Sequence, residues 1–315
     1  MPPQPPPKRD RLALGIVAFI FGGLFLVFFG FLLLAYSVVR GESPGIASGP
    51  RVGVVEVKGG IGMNGGADAE RILKALRKFA ADDNLKAVVV RIDSPGGAVA
   101  PSQEILGEVK KLAAKKTVVC SMGTLAASGG YYVAVGCPKI MAEPGTLTGS
   151  IGVLSQFPNV KGLIERFDVK METVKSGKLK DAGNPFSEMT AEERAYWQGL
   201  IDRVYAQFVR AVAEGRKMPE DAVRKIADGR VITGEEAKDL GLVDALGNFY
   251  DAVELAKTEA NLEGEPNLVY PPDERARFLE GLMGSAASAV ADAVAARLAR
   301  ETADAQAPGV YFLAR

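Results

Sequence analysis

The chain has 315 residues, roughly two domains' worth, and its 38 Lys+Arg balance 38 Asp+Glu to a formal charge of zero. It contains no histidine, which excludes Ser-His-Asp and Cys-His catalysis and any His-ligated zinc or haem. Proton transfer near neutral pH must then use a displaced Lys, Asp, Glu, Cys or Tyr. The balanced charge, without a basic run, also removes the electrostatic footprint of a nucleic-acid binder.

In chain order, Met1 to Pro7 is proline-rich, and residues 1–11 read as a disordered cytoplasmic stub. From Leu12 to Val39 no residue is charged. As a helix this run reaches about 42 Å against a hydrocarbon core of roughly 30 Å, so a transmembrane anchor over 12–39 is expected. A cleaved signal peptide fits less well, because its apolar region is normally about 7 to 15 residues. Lys8, Arg9 and Arg11 precede the run and only Arg40 follows it at once. This asymmetry predicts a single pass through the inner membrane with the amino terminus cytoplasmic, the rest outside, and the lipid bilayer as a partner. Residues 40–51 read as a linker.

From residue 52 to 270 the pattern is that of a folded domain. Val52 to Val57 predicts a strand, Ala67 to Ala81 a helix with Ile72, Leu73, Leu76 and Phe79 on one face, and Lys86 to Ile92 a buried strand. A helix near Ser102 to Ala114 and a strand from Thr117 to Met122 follow. This alternation predicts an α/β domain with largely parallel strands. Further strands are expected near Lys139 to Ala142, Gly152 to Leu154 and Val169 to Val174. Thr190-Ala-Glu-Glu193 has capping-box spacing and opens a long helix whose stripe from Trp197 to Val212 reads as core or subunit interface. Shorter helices are expected near Pro219 to Ile226, Gly234 to Leu240 and Tyr250 to Ala260. Residues 271–315 are expected to form an Ala-rich helical extension. Cys120 and Cys137 end two apolar runs and read as buried thiols.

Three glycine-bearing turns follow apolar strands, where an α/β sheet presents its site. In Asp93-Ser-Pro-Gly-Gly97, two glycines can aim backbone N–H groups at a bound carbonyl, although such a turn commonly only reverses the chain. In Gly123-Thr-Leu-Ala-Ala-Ser128-Gly-Gly, small neighbours leave the Ser128 hydroxyl at a crowded helix start beside the Gly129 amide; a plain helix cap is the competing reading. Gly145-Thr-Leu-Thr-Gly-Ser150-Ile-Gly152 offers a second serine. Without histidine, a serine nucleophile needs a desolvated lysine, whose pKa must fall from about 10.4 toward 7, and a hydroxyl to hold it once neutral. Lys175, Lys178 and Lys180 cluster after the strand expected to end at Val174, and their spacing alone does not choose among them.

These segments, with Gly229-Arg-Val-Ile-Thr-Gly234 and Gly241-Leu-Val-Asp-Ala-Leu-Gly247, resemble in the same order the signal peptide peptidase A family, membrane-anchored Ser/Lys proteases (family S49) of the Clp/crotonase superfamily. The resemblance covers about residues 50 to 260. It implies a Clp/crotonase-like repeated β-β-α superhelix preceded by one N-terminal transmembrane helix, and a serine endopeptidase without cofactor or metal. It further implies Ser128 as nucleophile, Lys180 as general base, Ser150 orienting Lys180, and Gly97 and Gly129 as oxyanion donors, with Gly96 the alternative to Gly97. The implied assembly is a homo-oligomeric ring, an octamer, with serine and lysine from neighbouring subunits. The implied substrates are extended hydrophobic peptides, including signal peptides left after preprotein cleavage. A related protease that cuts one membrane partner, a crotonase-like acyl-CoA enzyme and a non-catalytic scaffold are the competing readings. The acyl-CoA enzyme would need carboxylates at the site.

Overall fold

The apolar runs near residues 52, 88 and 118 form three adjacent parallel strands, β1 (Arg51–Lys58), β2 (Ala87–Ser94) and β3 (Thr117–Ala127), in a computed structural model that describes residues 22–23, 25, 28–30, 49–63 and 66–271. Successive side chains of a strand face opposite ways. Val88, Val90 and Ile92 therefore enter one apolar cluster, and Ala87 and Val89 enter another on the opposite face. Helices α1 (Ala69–Ala81) and α2 (Val99–Ala113) contribute Ile72, Leu76, Phe79, Ile105 and Val109 to the first cluster. Each such side chain stabilises by about 1.5–3 kcal/mol on full burial.

Five further strands complete one sheet: β4 (Lys139–Ala142), β5 (Leu147–Gly149), β6 (Val231–Thr233), β7 (Ala245–Leu246) and β8 (Asn267–Val269). The main path runs β6-β5-β3-β2-β1-β8, and β4 branches from β3 to carry β7. Only the β5 and β6 pairing is antiparallel among these described strands. The remaining helices are α3 (Gly129–Ala134), α4 (Lys161–Glu165), α5 (Ala191–Arg216), α6 (Glu220–Ile226), α7 (Gly234–Asp239) and α8 (Phe249–Glu259). Ala252, Val253 and Ala256 of α8 cover the second face. The capping box of α5 is formed: Thr190 Oγ1 accepts from Glu193 N at 3.2 Å, and Glu193 Oε2 accepts from Thr190 N at 2.8 Å.

Three predicted elements differ. β3 does not stop at Met122, because its second half, Leu125 to Ala127, gains a new partner in β5. The register of β2 against β3 slips between Ile92 and Ser94, and Asp93 Oδ1 fills the gap by accepting from Leu125 N at 3.1 Å. The strand expected at Gly152 to Leu154 instead lies at Leu147–Gly149, where Thr148 Oγ1 donates to Ala126 O at 2.7 Å. No strand forms from Val169 to Val174; this stretch has no strand partner among the described residues, and Val174 is fully exposed.

The chain divides into the unit Gly49–Pro271 and a second unit, Met1–Ser48 with Pro272–Arg315. In the second unit Gly22, Gly23, Phe25 and Phe28 to Gly30 are helical. The rest of the expected anchor, the stub 1–11, most of the linker 40–51 and the extension after Pro271 lie outside the described residues. The expectation of a transmembrane helix is corrected here: among the described residues no helix is long and apolar enough to cross a membrane. Crossing takes about 20 predominantly apolar residues, and the 26-residue α5 carries Glu192, Glu193, Arg194, Asp202, Arg203 and Arg210. The bilayer as partner, the inner-membrane location and the description of the enzyme as membrane-anchored fall with that helix.

Candidate active site

Ser128 stands where the buried strand β3 gives way to α3, at φ 52° and ψ −119°. This left-handed conformation is unusual for any residue with a Cβ. It is held from both sides, by Ser128 N donating to Gly149 O at 2.9 Å and Tyr132 N donating to Ser128 O at 2.8 Å. Tyr131, wholly buried, anchors α3 by donating its hydroxyl to Leu242 O at 2.9 Å, and burial pushes its pKa up.

Ser150 is the partner of Ser128 by register. Ala127 of β3 pairs with Gly149 of β5, and each is followed by a serine, so the two serines leave adjacent parallel strands at the same level. Ser150 also has positive φ, 49°, and its N–H donates to Arg230 O at 2.8 Å. Both serines line one cavity of about 360 Å³.

Gly97 and Gly129 line the same cavity. The strand-end turn of β2 and the start of α3 touch so closely that a Cβ on Gly96 would lie 2.4 Å from Gly129 N, and one on Gly129 would lie 2.7 Å from Ser102 Oγ. Only glycine permits that approach. The Gly96 N–H is engaged by Ser94 Oγ at 3.1 Å. Among the described residues, neither the Gly97 nor the Gly129 N–H donates to a carbonyl in a turn or cap. Two amides therefore remain available beside the serine, at Gly97 rather than Gly96.

The lysines are elsewhere. None of Lys175, Lys178 and Lys180 lines the cavity. Lys175 is paired with Asp181, which its ammonium holds below the usual carboxylate range, and Lys178 lies 4.0 Å from Glu192. Lys180, exposed, has no ion pair among the described residues. The fold thus brings together Ser128, Ser150, Gly97 and Gly129, and leaves Lys180 outside the cavity of its own chain.

The cavity also includes residues to which the sequence pattern assigned no chemistry. Val204 and Phe208, part of the apolar stripe on α5, form a wall with Tyr132, whose ring centroid is 4.9 Å from that of Phe208. Asp228 sits at the rim, where Arg230 binds both its oxygens and brings its pKa down to about 2. Asp228 is the one carboxylate among the described residues that line the cavity, and its engagement by Arg230 makes it a poor proton acceptor. Cys120 and Cys137 are buried free thiols, and burial raises the Cys137 pKa. Among the described residues no group of three or more His, Cys, Asp or Glu is placed to hold a metal ion.

Comparison with known proteins identifies the family. The family model described as peptidase family S49 matches residues 110–263, and that of Clp protease matches residues 62–145. A putative protease of Synechocystis sp. is 45% identical over 213 residues, covering 68% of this chain and 76% of that protein. A putative protease of Methanocaldococcus jannaschii is 38% identical over 217 residues, covering 69% and 68%. A putative signal peptide peptidase SppA of Enterococcus faecium is 38% identical over 207 residues, covering 65% and 60%. With a serine at a strained strand-to-helix turn, paired amides beside it and relatives of this similarity over most of their length, the chain belongs to peptidase family S49 and is a serine endopeptidase.

Proposed function

We propose that this endopeptidase cleaves extended peptides with a Ser/Lys dyad shared between two copies of the chain. One observation carries the reading: Ser128, Ser150 and the Gly97 and Gly129 amides surround a single cavity, while Lys180 of the same chain lies outside it. Ser128 Oγ attacks the scissile carbonyl carbon as its proton passes to neutral Lys180 Nζ of a second copy, and the Gly97 and Gly129 N–H groups receive the developing oxyanion. Ser150 orients the lysine. The C–N bond then breaks as Lys180 returns its proton to the leaving amine, and water hydrolyses the acyl-enzyme. Val204, Phe208 and Tyr132 suit an apolar substrate side chain. The exposed stretch with Leu163, Phe167, Met171 and Val174 offers apolar surface for the neighbouring copy that brings Lys180.

The test is complementation. Purified full-length Ser128→Ala and Lys180→Ala are each inactive on an unstructured fluorogenic peptide. Dissociated, mixed in equal amounts and reassembled, they recover activity, since random pairing leaves about a quarter of sites with both groups intact. A mixture that stays inactive although the two chains co-assemble would refute the shared dyad. Full activity of either single variant would refute the dyad itself.

A further inference from the structure

Resting on that reading, we propose that Ser94 is a positioning residue for catalysis, whose hydroxyl sets the direction of the Gly97 oxyanion amide. Ser94 is completely buried at the end of β2. Its hydroxyl donates to Gly59 O at 2.6 Å and accepts from Gly96 N at 3.1 Å. A single oxygen thus joins the loop after β1 to the turn that carries the amide.

The geometry of that turn explains why the link matters. The loop from Gly59 to Ile61 runs beside it: Gly59 N donates to Asp93 O at 2.9 Å, Ile61 N to Gly96 O at 2.8 Å, and Ala98 N to Ile61 O at 2.9 Å. In a trans peptide the C=O and the following N–H point in opposite directions. With Gly96 C=O turned to Ile61, the Gly97 N–H must face away from that loop, toward the cavity that Gly97 lines. This ladder does not engage the N–H of the peptide unit before it, between Pro95 and Gly96. Ser94 fastens it by taking up the Gly96 N–H. Gly96 sits at φ 94° and Gly97 at φ 154°, conformations that glycine enters and leaves easily, so the turn needs an external fastener.

Removing the hydroxyl would leave Gly59 O and Gly96 N unsatisfied in a dry interior, and the cheapest relief is a rotation of the turn. An oxyanion donor acts only when held near 3 Å from the developing charge, and its complete loss costs about 100- to 1000-fold in kcat. A donor that is present but turned away is expected to cost less, about 10- to 100-fold.

The experiment compares full-length Ser94→Ala, Ser94→Thr and wild type in kcat, KM, pH profile and inhibition by a peptide aldehyde, whose tetrahedral adduct places its oxygen on the same amides. Ser94→Ala is expected to lower kcat about 10- to 100-fold with KM within about twofold. Aldehyde affinity should fall in step with kcat/KM, and the shape of the pH profile should not change, because the lysine base is untouched. Ser94→Thr restores the hydroxyl. It should recover most of the rate. Should Ser94→Ala fail to fold, Ser94→Cys, isosteric but a weak hydrogen bonder, is expected to show the same loss. The proposal is overturned if kcat is unchanged, if the loss appears in KM or as a shifted pH profile, or if Ser94→Thr is as impaired as Ser94→Ala. Ser128→Ala, run alongside, separates the two readings. An active Ser128→Ala overturns the assignment of the site, whereas an inactive Ser128→Ala with a fully active Ser94→Ala overturns only the role of Ser94.

Discussion

Replacing Ser128, the proposed nucleophile, by glycine is expected to stabilise the protein while destroying its activity. Ser128 is held at φ 52° and ψ −119°, and an L-residue there costs about 1–3 kcal/mol. Ser128→Gly removes that strain and adds a penalty of about 0.5–1 kcal/mol from the greater freedom of glycine in the unfolded chain. The net gain is about 0.5–2 kcal/mol, or roughly 2 to 6 °C in Tm for a domain of this size. Ser128→Ala is the control: it also removes the hydroxyl, which makes no capping hydrogen bond, but keeps the Cβ and so the strain. Thermal and denaturant unfolding of the two inactive variants isolates the backbone contribution. At an ordinary position glycine would be the less stable of the two by about 0.5–1 kcal/mol, so the sign alone is diagnostic. A Ser128→Gly protein no more stable than Ser128→Ala would refute strain at this position.

Two further outcomes follow from contacts near the site and away from it. Gly96→Ala places a Cβ 2.4 Å from Gly129 N at a φ of 94°, so the two turns proposed to carry the oxyanion amides must separate; unfolding measurements should show a loss of about 2–4 kcal/mol and kinetics a fall in kcat of about 100-fold or more, and near-normal activity would contradict the close approach. Asp244 accepts from Ile140 N at 2.7 Å and from Arg216 Nη1 at 2.9 Å. Burial raises its pKa, but the hydrogen bonds from Arg216 and Ile140 and the Arg216 charge outweigh burial and leave it below the ordinary value. A carboxyl depressed in the folded state stabilises above its unfolded pKa of about 3.9, and that contribution is lost as pH falls through the lower folded value. Asp244→Asn should therefore cost about 1–3 kcal/mol at neutral pH, with the gap to wild type closing as the solution is acidified below about pH 4; a gap independent of pH would show that the charge of Asp244 is not what stabilises.

Much of the site was legible locally. A strand ending in small residues and glycines marks where a sheet can present chemistry, and the candidates Ser128 and Ser150 both stand at such ends. The helix starts were equally readable, since Thr190 with Glu193 forms the capping box that its spacing required. Ser94 was overlooked because a serine in a glycine turn has no distinctive pattern; only its contact with Gly59, 35 positions away, shows what it does. The stretch from Val169 to Val174 misled for a related reason: alternation favours a strand, but a strand exists only where a ladder partner is present.

The missing histidine excludes the His-based dyads and triads on composition alone, and set beside the glycine-flanked serines it makes lysine the candidate base. Composition could not show which amide of the glycine pair is free, that Ser128 and Ser150 leave adjacent strands at one level, or that Lys180 lies outside the cavity of its own chain. Those depend on register and on contacts between segments distant in sequence, which local propensity does not encode. The long apolar run near the amino terminus marks the same limit: hydropathy predicted a membrane span, and among the described residues no helix meets that requirement. Sequence named the candidate groups, and tertiary structure decided which of them share a cavity, because that depends on strand register and not on local pattern.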